Sequence, residues 1–125
     1  MTVELEKLEV YQLAESLADL VWDICIGWEW FAKDTIGKQL VKAADSVGAN
    51  IAEGYGRYAF KENIHFCCYA RGSLMEVKHF LRRAMQRKLL STEQTKSIKN
   101  ILQPLAPKLN AYIRSIKAEL SKSPK

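Results

Sequence analysis

Residues 50–62, NIAEGYGRYAFKE, lie between two long runs of apolar residues at helical spacing. Gly54, Gly56, Arg57 and Glu62 allow two readings of this stretch: a loop that cradles phosphate, or the join between two helices. A Walker-type loop needs Gly-x4-Gly-Lys-Ser/Thr after a strand, and a dinucleotide fingerprint needs Gly-x-Gly-x-x-Gly, also after a strand. GYGRYAF has neither the third glycine nor the lysine, and the preceding SVGANIAE reads as helix. Gly54 fits the left-handed position that ends a helix, and Gly56 lets the chain turn back. The stretch is a corner.

The runs on both sides are helical. Upstream, Ile36, Leu40, Ala43/Ala44, Val47 and Ile51 share one face, and small residues such as Ala43, Ala44, Gly48, Ala49 and Ala52 keep that helix narrow. Asp34 is the expected N-cap of this helix. Earlier still, Val10, Leu13, Leu17, Leu20, Val21, Ile24 and Trp28 recur in steps of three and four, with Gly27 and GWEWF as the stop. Downstream, a helix starting at residues 59–61 and running to about Lys88 carries Cys67, Ala70, Leu74, Val77, Leu81 and Ala84. Ser91 with Gln94 three residues on is a capping box. The last stripe is Ile98, Leu102, Leu105, Leu109, Tyr112/Ile113, Ile116 and Leu120; it keeps phase through Pro104 and Pro107, as one kinked helix would. The fold class is all-α: an antiparallel up-and-down four-helix bundle.

The 125 residues fit one domain, assigned to residues 1–120, with 121–125 as a frayed tail. Hydrophobic content of 48% with 26% charged residues is the profile of a soluble globular chain. The acidic start MTVELEKLEVY lacks the basic and apolar regions of a signal peptide, and no apolar run is long enough to span a membrane. Cys25, Cys67 and Cys68 are odd in number and include an adjacent pair, which suits a reducing cytoplasm better than a disulfide framework.

AADSVGANIAEGYGR followed by FCCYARGSLMEV resembles the family of four-helix bundle proteins encoded by intervening sequences inside bacterial 23S rRNA genes. That family reads approximately A-x-S-x-x-x-N-I-A-E-G-x-G-R and then A-R-G-S-L-x-E, and LEVYQLAESLADLVW is similar to its first helix. The resemblance covers nearly the whole chain. It implies a closed four-helix bundle, relatives assembled as homopentameric barrels, and kinship with a basic accessory protein of diversity-generating retroelements that contacts nucleic acid. It brings no enzymatic activity and no defined biochemical role. Gly48 departs from the proline or other small residue frequent there, and GWEWFAKD replaces the usual F-P-x-x-E loop.

Asn50, Glu53, Arg57, Arg71, Ser73 and Glu76 match the family motifs position by position. They are expected to form a polar network at the corner that fixes the bundle's register, with contact to a ligand or RNA as the alternative. No activated nucleophile or carboxylate pair marks a reaction centre, so no catalytic residue is assigned. His65, Cys67, Cys68 and His79 lack the i, i+4 relation of helical metal ligands, and no metal or cofactor is expected.

The net charge of +5 is unevenly spread: residues 1–34 carry −6 and residues 35–125 carry +11. VKHFLRRAMQRK, residues 77–88, contains no acid. Arg71, Lys78, Arg82, Arg83, Arg87 and Lys88 are candidate phosphate contacts, since a row of cations along a helix binds a polyanion by releasing its counterions. A solvated helix face, or pairing with the acidic first helix of a neighbouring subunit, are the other readings. Tyr11, Trp22, Tyr69 and Phe80 lie off the main stripes and are candidate oligomer contacts, with ordinary core on helices that touch two neighbours as the alternative for some of them. The sequence thus points to a non-enzymatic, cytoplasmic homo-oligomer that binds RNA or another nucleic acid, with a protein-interaction scaffold as the alternative. No membrane role and no small-molecule substrate is indicated.

Overall fold

Cys67, Ala70, Leu74, Val77, Leu81 and Ala84 are all buried, so the 3-4 spacing of this stripe corresponds to a helix that faces the core along its whole length. The computed structural model describes residues 4–122. A 3₁₀ turn, Leu5–Lys7, leads into α1 (Glu9–Cys25), and three further long helices complete the chain: α2 (Lys38–Tyr55), α3 (Phe60–Gln86) and α4 (Thr92–Lys122). No strand occurs among the described residues. Each helix packs on its sequence neighbours and α4 closes against α1, which is the cyclic order of an up-and-down four-helix bundle. Leu17, Leu40, Ile51, Leu74, Leu105 and Leu109 are among the fully buried side chains. Each contributes about 1.5–3 kcal/mol relative to an exposed position. No helix among the described residues is long and apolar enough to cross a membrane.

The entrance to α2 differs from the expectation. Asp34 is not its N-cap: Glu29 is, its carboxylate accepting from the backbone N–H of Phe31 at 3.1 Å and of Ala32 at 3.0 Å. The helix begins with Trp30–Ala32, passes through a π turn at Lys33–Gly37, and continues into α2 without a break. Asp34 lies inside that turn and pairs loosely with Lys38 at 3.7 Å. A π turn displaces the normal hydrogen-bond pattern, and the Thr35 hydroxyl compensates by donating to the Phe31 carbonyl at 2.7 Å. GWEWFAKD is therefore mostly helix rather than loop.

Gly54 also has a different reason from the one expected. Among the described residues no glycine has a positive φ, and Gly54 is a buried helical position two residues before the C-cap Gly56. A Cβ on Gly54 would stand 2.7 Å from Asn63 Oδ1, 3.0 Å from the Asn63 carbonyl oxygen and 3.0 Å from Phe66 Cβ. Glycine is required here by the close approach of α3, not by backbone conformation.

The left-handed residue lies at the other end of the bundle. Lys88, at φ 62°, closes α3. The Leu89 N–H donates to the Ala84 carbonyl at 2.9 Å and the Lys88 N–H to the Met85 carbonyl at 3.0 Å, the paired bonds of a Schellman turn. Ser91 and Gln94 then form the expected capping box, with Gln94 N–H to Ser91 Oγ at 3.0 Å and Ser91 N–H to Gln94 Oε1 at 2.9 Å. α4 runs unbroken through Pro104 and Pro107. Ser121 and Lys122, expected in the tail, are still helical; residues 123–125 lie outside the described residues. Trp28 ties the two loops at this end together, its indole N–H donating to the Leu89 carbonyl at 3.0 Å.

These contacts set the outcome of two substitutions. Gly54→Ala lowers the unfolding free energy in urea by about 1–3 kcal/mol, the range for overpacking. Lys88→Gly raises it by about 0.5–1 kcal/mol, because glycine adopts φ > 0 without a Cβ penalty.

Candidate nucleic-acid interface

Arg57 bridges the corner between α2 and α3. Its guanidinium pairs with Glu53 at 2.8 Å and Glu62 at 3.8 Å, and lies 4.8 Å from the centre of the Phe66 ring. All three charged partners are roughly half exposed, so each pair contributes less than about 1 kcal/mol. The rest of the expected polar network does not join it. Asn50 donates to the Ser46 carbonyl one turn back in its own helix at 2.9 Å. Arg71 reaches across to α4 and donates to Asn110 Oδ1 at 3.0 Å. Ser73 and Glu76 lie two or more helical turns along α3 from the corner, too far to reach Arg57. The motif residues are thus distributed along two helices and the loop between them, and only Glu53 and Arg57 meet.

Lys78 and Arg82 project from α3 over its groove with α4. The groove is floored by Leu81, Leu90, Ile98 and Leu102, and Lys99 of α4 lines it too. A second hollow continues from it past Met85, Thr92 and Thr95 to Lys96 and Lys99. Antiparallel packing places the start of α4 beside the end of α3, so two lysines absent from the sequence expectation join the cationic row. Their i, i+3 spacing in TKSIKN was the available signal; the pairing of helices that gives it meaning was not visible locally. Arg83 is turned towards Gln86, to whose side-chain oxygen it donates. Arg87 and Lys88 extend the positive charge into the loop. None of Lys78, Arg82, Arg87, Lys88, Lys96 and Lys99 has a carboxylate within ion-pair distance among the described residues.

One groove across the bundle is acidic. Between α1 and α2 a shallow groove is lined by Tyr11, Glu15, Asp19 and Asp45, with Ala14, Ala18 and Gly48 at its base. Burial raises the pKa of the Tyr11 phenol, and the adjacent Glu15 carboxylate raises it further. The charge segregation in sequence carries over only in part, since Lys33, Lys38 and Lys42 line the neighbouring hollow; at one edge Lys108 of α4 pairs with Glu9 of α1 at 3.2 Å.

Two of the four aromatics expected at subunit contacts are used inside the chain. Tyr11 packs partly buried on the main core, and Phe80 packs against both the main core and the small cluster of Ala32, Ile36 and Ala84. A bundle helix touches two neighbours, so its apolar face is wider than one stripe. Trp22 and Tyr69 remain about half exposed, at 54% and 51%. Tyr69 lies edge-on to His65, whose Nε2 is 2.7 Å from the tyrosine hydroxyl. Trp22 lines a groove with Ile26, Val41 and Lys42.

His65 is thus engaged with Tyr69, and Cys67 is a core residue whose thiol points to Asn63 Oδ1 at 3.5 Å. Among the described residues no three His, Cys, Asp or Glu side chains converge as metal ligands do. Burial pushes the Cys25 thiol up to about 11 and Cys67 up to about 12.

Helix order and packing define a four-helix bundle protein with a basic groove on one face and an acidic groove across from it. The chain belongs to the 23S rRNA-intervening sequence protein family, whose profile matches residues 6–111. A crystal structure of a protein of unknown function from the S23 ribosomal protein family of Bacteroides thetaiotaomicron VPI-5482 shares the fold. The TM-score is 0.72 over 83% of this chain and 97% of that one, at 20% sequence identity. No curated protein matches the chain.

The thiols give a direct check on the packing. In the native protein a thiol reagent such as DTNB titrates Cys68 alone; Cys25 and Cys67 react only in denaturant, because burial keeps them protonated and inaccessible.

Proposed function

We propose that this protein is a non-enzymatic homo-oligomeric bundle that binds RNA or another nucleic acid through the α3–α4 face. The observation that carries the reading is the row Lys78, Arg82, Lys96 and Lys99, joined by Arg87 and Lys88, which has no internal counter-charge among the described residues. Cations on two adjacent helices meet successive phosphates, and the apolar floor between them gives the lysine stems somewhere to pack. Such contacts fix a backbone and carry no base code, so shape sets preference. Arg71, already holding Asn110, is at most an outlying contact. Free thiols suit a cytoplasmic setting.

A second reading is supported by the acidic α1–α2 groove across the bundle. Copies arranged head to tail bring that groove to the basic face of the next copy, and a rotation that closes gives a ring. In this scaffold reading the charge serves assembly, with no nucleic-acid role, and Trp22 is the exposed aromatic beside the joint.

Salt titration with charge reversal separates the two. For structured RNA, the logarithm of the association constant falls linearly with the logarithm of salt concentration, and each cation removed lowers the slope by about 1. The triple variant Lys78→Glu, Arg82→Glu, Lys99→Glu loses RNA binding while sedimenting as the wild type. Dissociation of the oligomer by the same variant favours the scaffold.

A further inference from the structure

At the end of the bundle where Trp28 joins the two loops, an open hollow of about 440 Å³ is lined by Phe31, Ala32, Ile36 and Leu89 and by two charged residues, Glu29 and Arg87. Its size falls in the range of roughly 300–1,000 Å³ typical of small-molecule sites. Phe31 is 65% exposed and its neighbour Trp30 is 71% exposed. Core packing does not account for two large aromatic side chains in water on consecutive residues. Glu29 fixes the backbone that presents them, accepting from the Phe31 N–H at 3.1 Å in the same turn that directs Ala32 inward.

Resting on the reading of the α3–α4 face as a phosphate-binding surface, we infer that this hollow takes one unpaired base of a bound RNA, stacked on Phe31. Three observations meet there. Arg87 belongs both to the hollow and to the cationic row, so a strand whose phosphates track that row arrives at Phe31. Arg87 and Lys88 have no ion-pair partner among the described residues. An exposed aromatic ring beside an arginine is the arrangement that proteins use to hold single-stranded nucleic acid, since every base has a stacking face. The Glu29 carboxylate, held by two backbone N–H groups, retains lone pairs that accept from an exocyclic amino group of the base. Asp34 is the other acid in this segment and is paired with Lys38, which limits its repulsion of a phosphate.

The test compares a short oligoadenylate with a blunt RNA duplex of the same length, at one salt concentration, using wild type, Phe31→Ala, Phe31→Trp and the triple charge reversal. Phe31→Ala is expected to weaken oligoadenylate binding about ten-fold or more and leave duplex binding unchanged, while Phe31→Trp restores it. Equal affinity of wild type and Phe31→Ala for oligoadenylate overturns the base site and leaves the basic face standing. Failure of the wild type to bind either RNA removes both readings together. Loss of both RNAs by Phe31→Ala with a change in sedimentation shows that Phe31 instead packs against another copy, which also overturns the proposal.

Discussion

The approach of α2 to α3 at Gly54 constrains everything that faces outward. With a bare Cα at this position, the backbone of α3 at Asn63 comes within contact distance, and Asn63 is held from the other side by Cys67 and Tyr112. A fixed contact at one end of a long helix sets its rotation. Once Cys67 and Ala70 point inward, the 3.6-residue repeat leaves Lys78 and Arg82 no direction but the α4 groove. The surface that carries the functional reading is thus a consequence of one tight crossing more than ten residues away. The exposed ion pairs at the same corner are too weak to do this and only reinforce it.

Periodicity made the bundle legible in the sequence. The α3 stripe is buried residue for residue, and the Ser91–Gln94 box stands where its spacing put it. These signals are local: a helix face or cap is determined within a few residues. What was not legible depends on a second element. Gly54 resembled a helix terminator because glycine serves two purposes, and only the position of Asn63 distinguishes them. Glu29 was overlooked as a cap because the π turn displaces the helix start by more than one turn from Asp34. Lys96 and Lys99 had no evident role until antiparallel pairing brought them to Lys78 and Arg82. For Tyr11 and Phe80 the alternative of ordinary core holds, since a bundle helix is buried on two sides.

The acidic α1–α2 groove and the basic α3–α4 groove lie across the bundle from each other. Charge–charge interactions between exposed groups reach about 8–10 Å at ordinary ionic strength, less than the width of the bundle. The two faces therefore act independently on partners. An anion meeting the α3–α4 groove experiences little of Glu15, Asp19 and Asp45, and a cationic surface meeting those acids experiences little of Arg82.

The five-residue turn at Lys33–Gly37 uncouples two histories within one helix. An extra backbone unit rotates the segment before it by roughly 100° relative to the helix beyond it. Trp30 and Phe31 therefore stand on a segment whose facing is independent of the stripe running from Leu40 to Ile51. Removing one residue from this turn would re-aim the tip while the bundle beneath keeps its register.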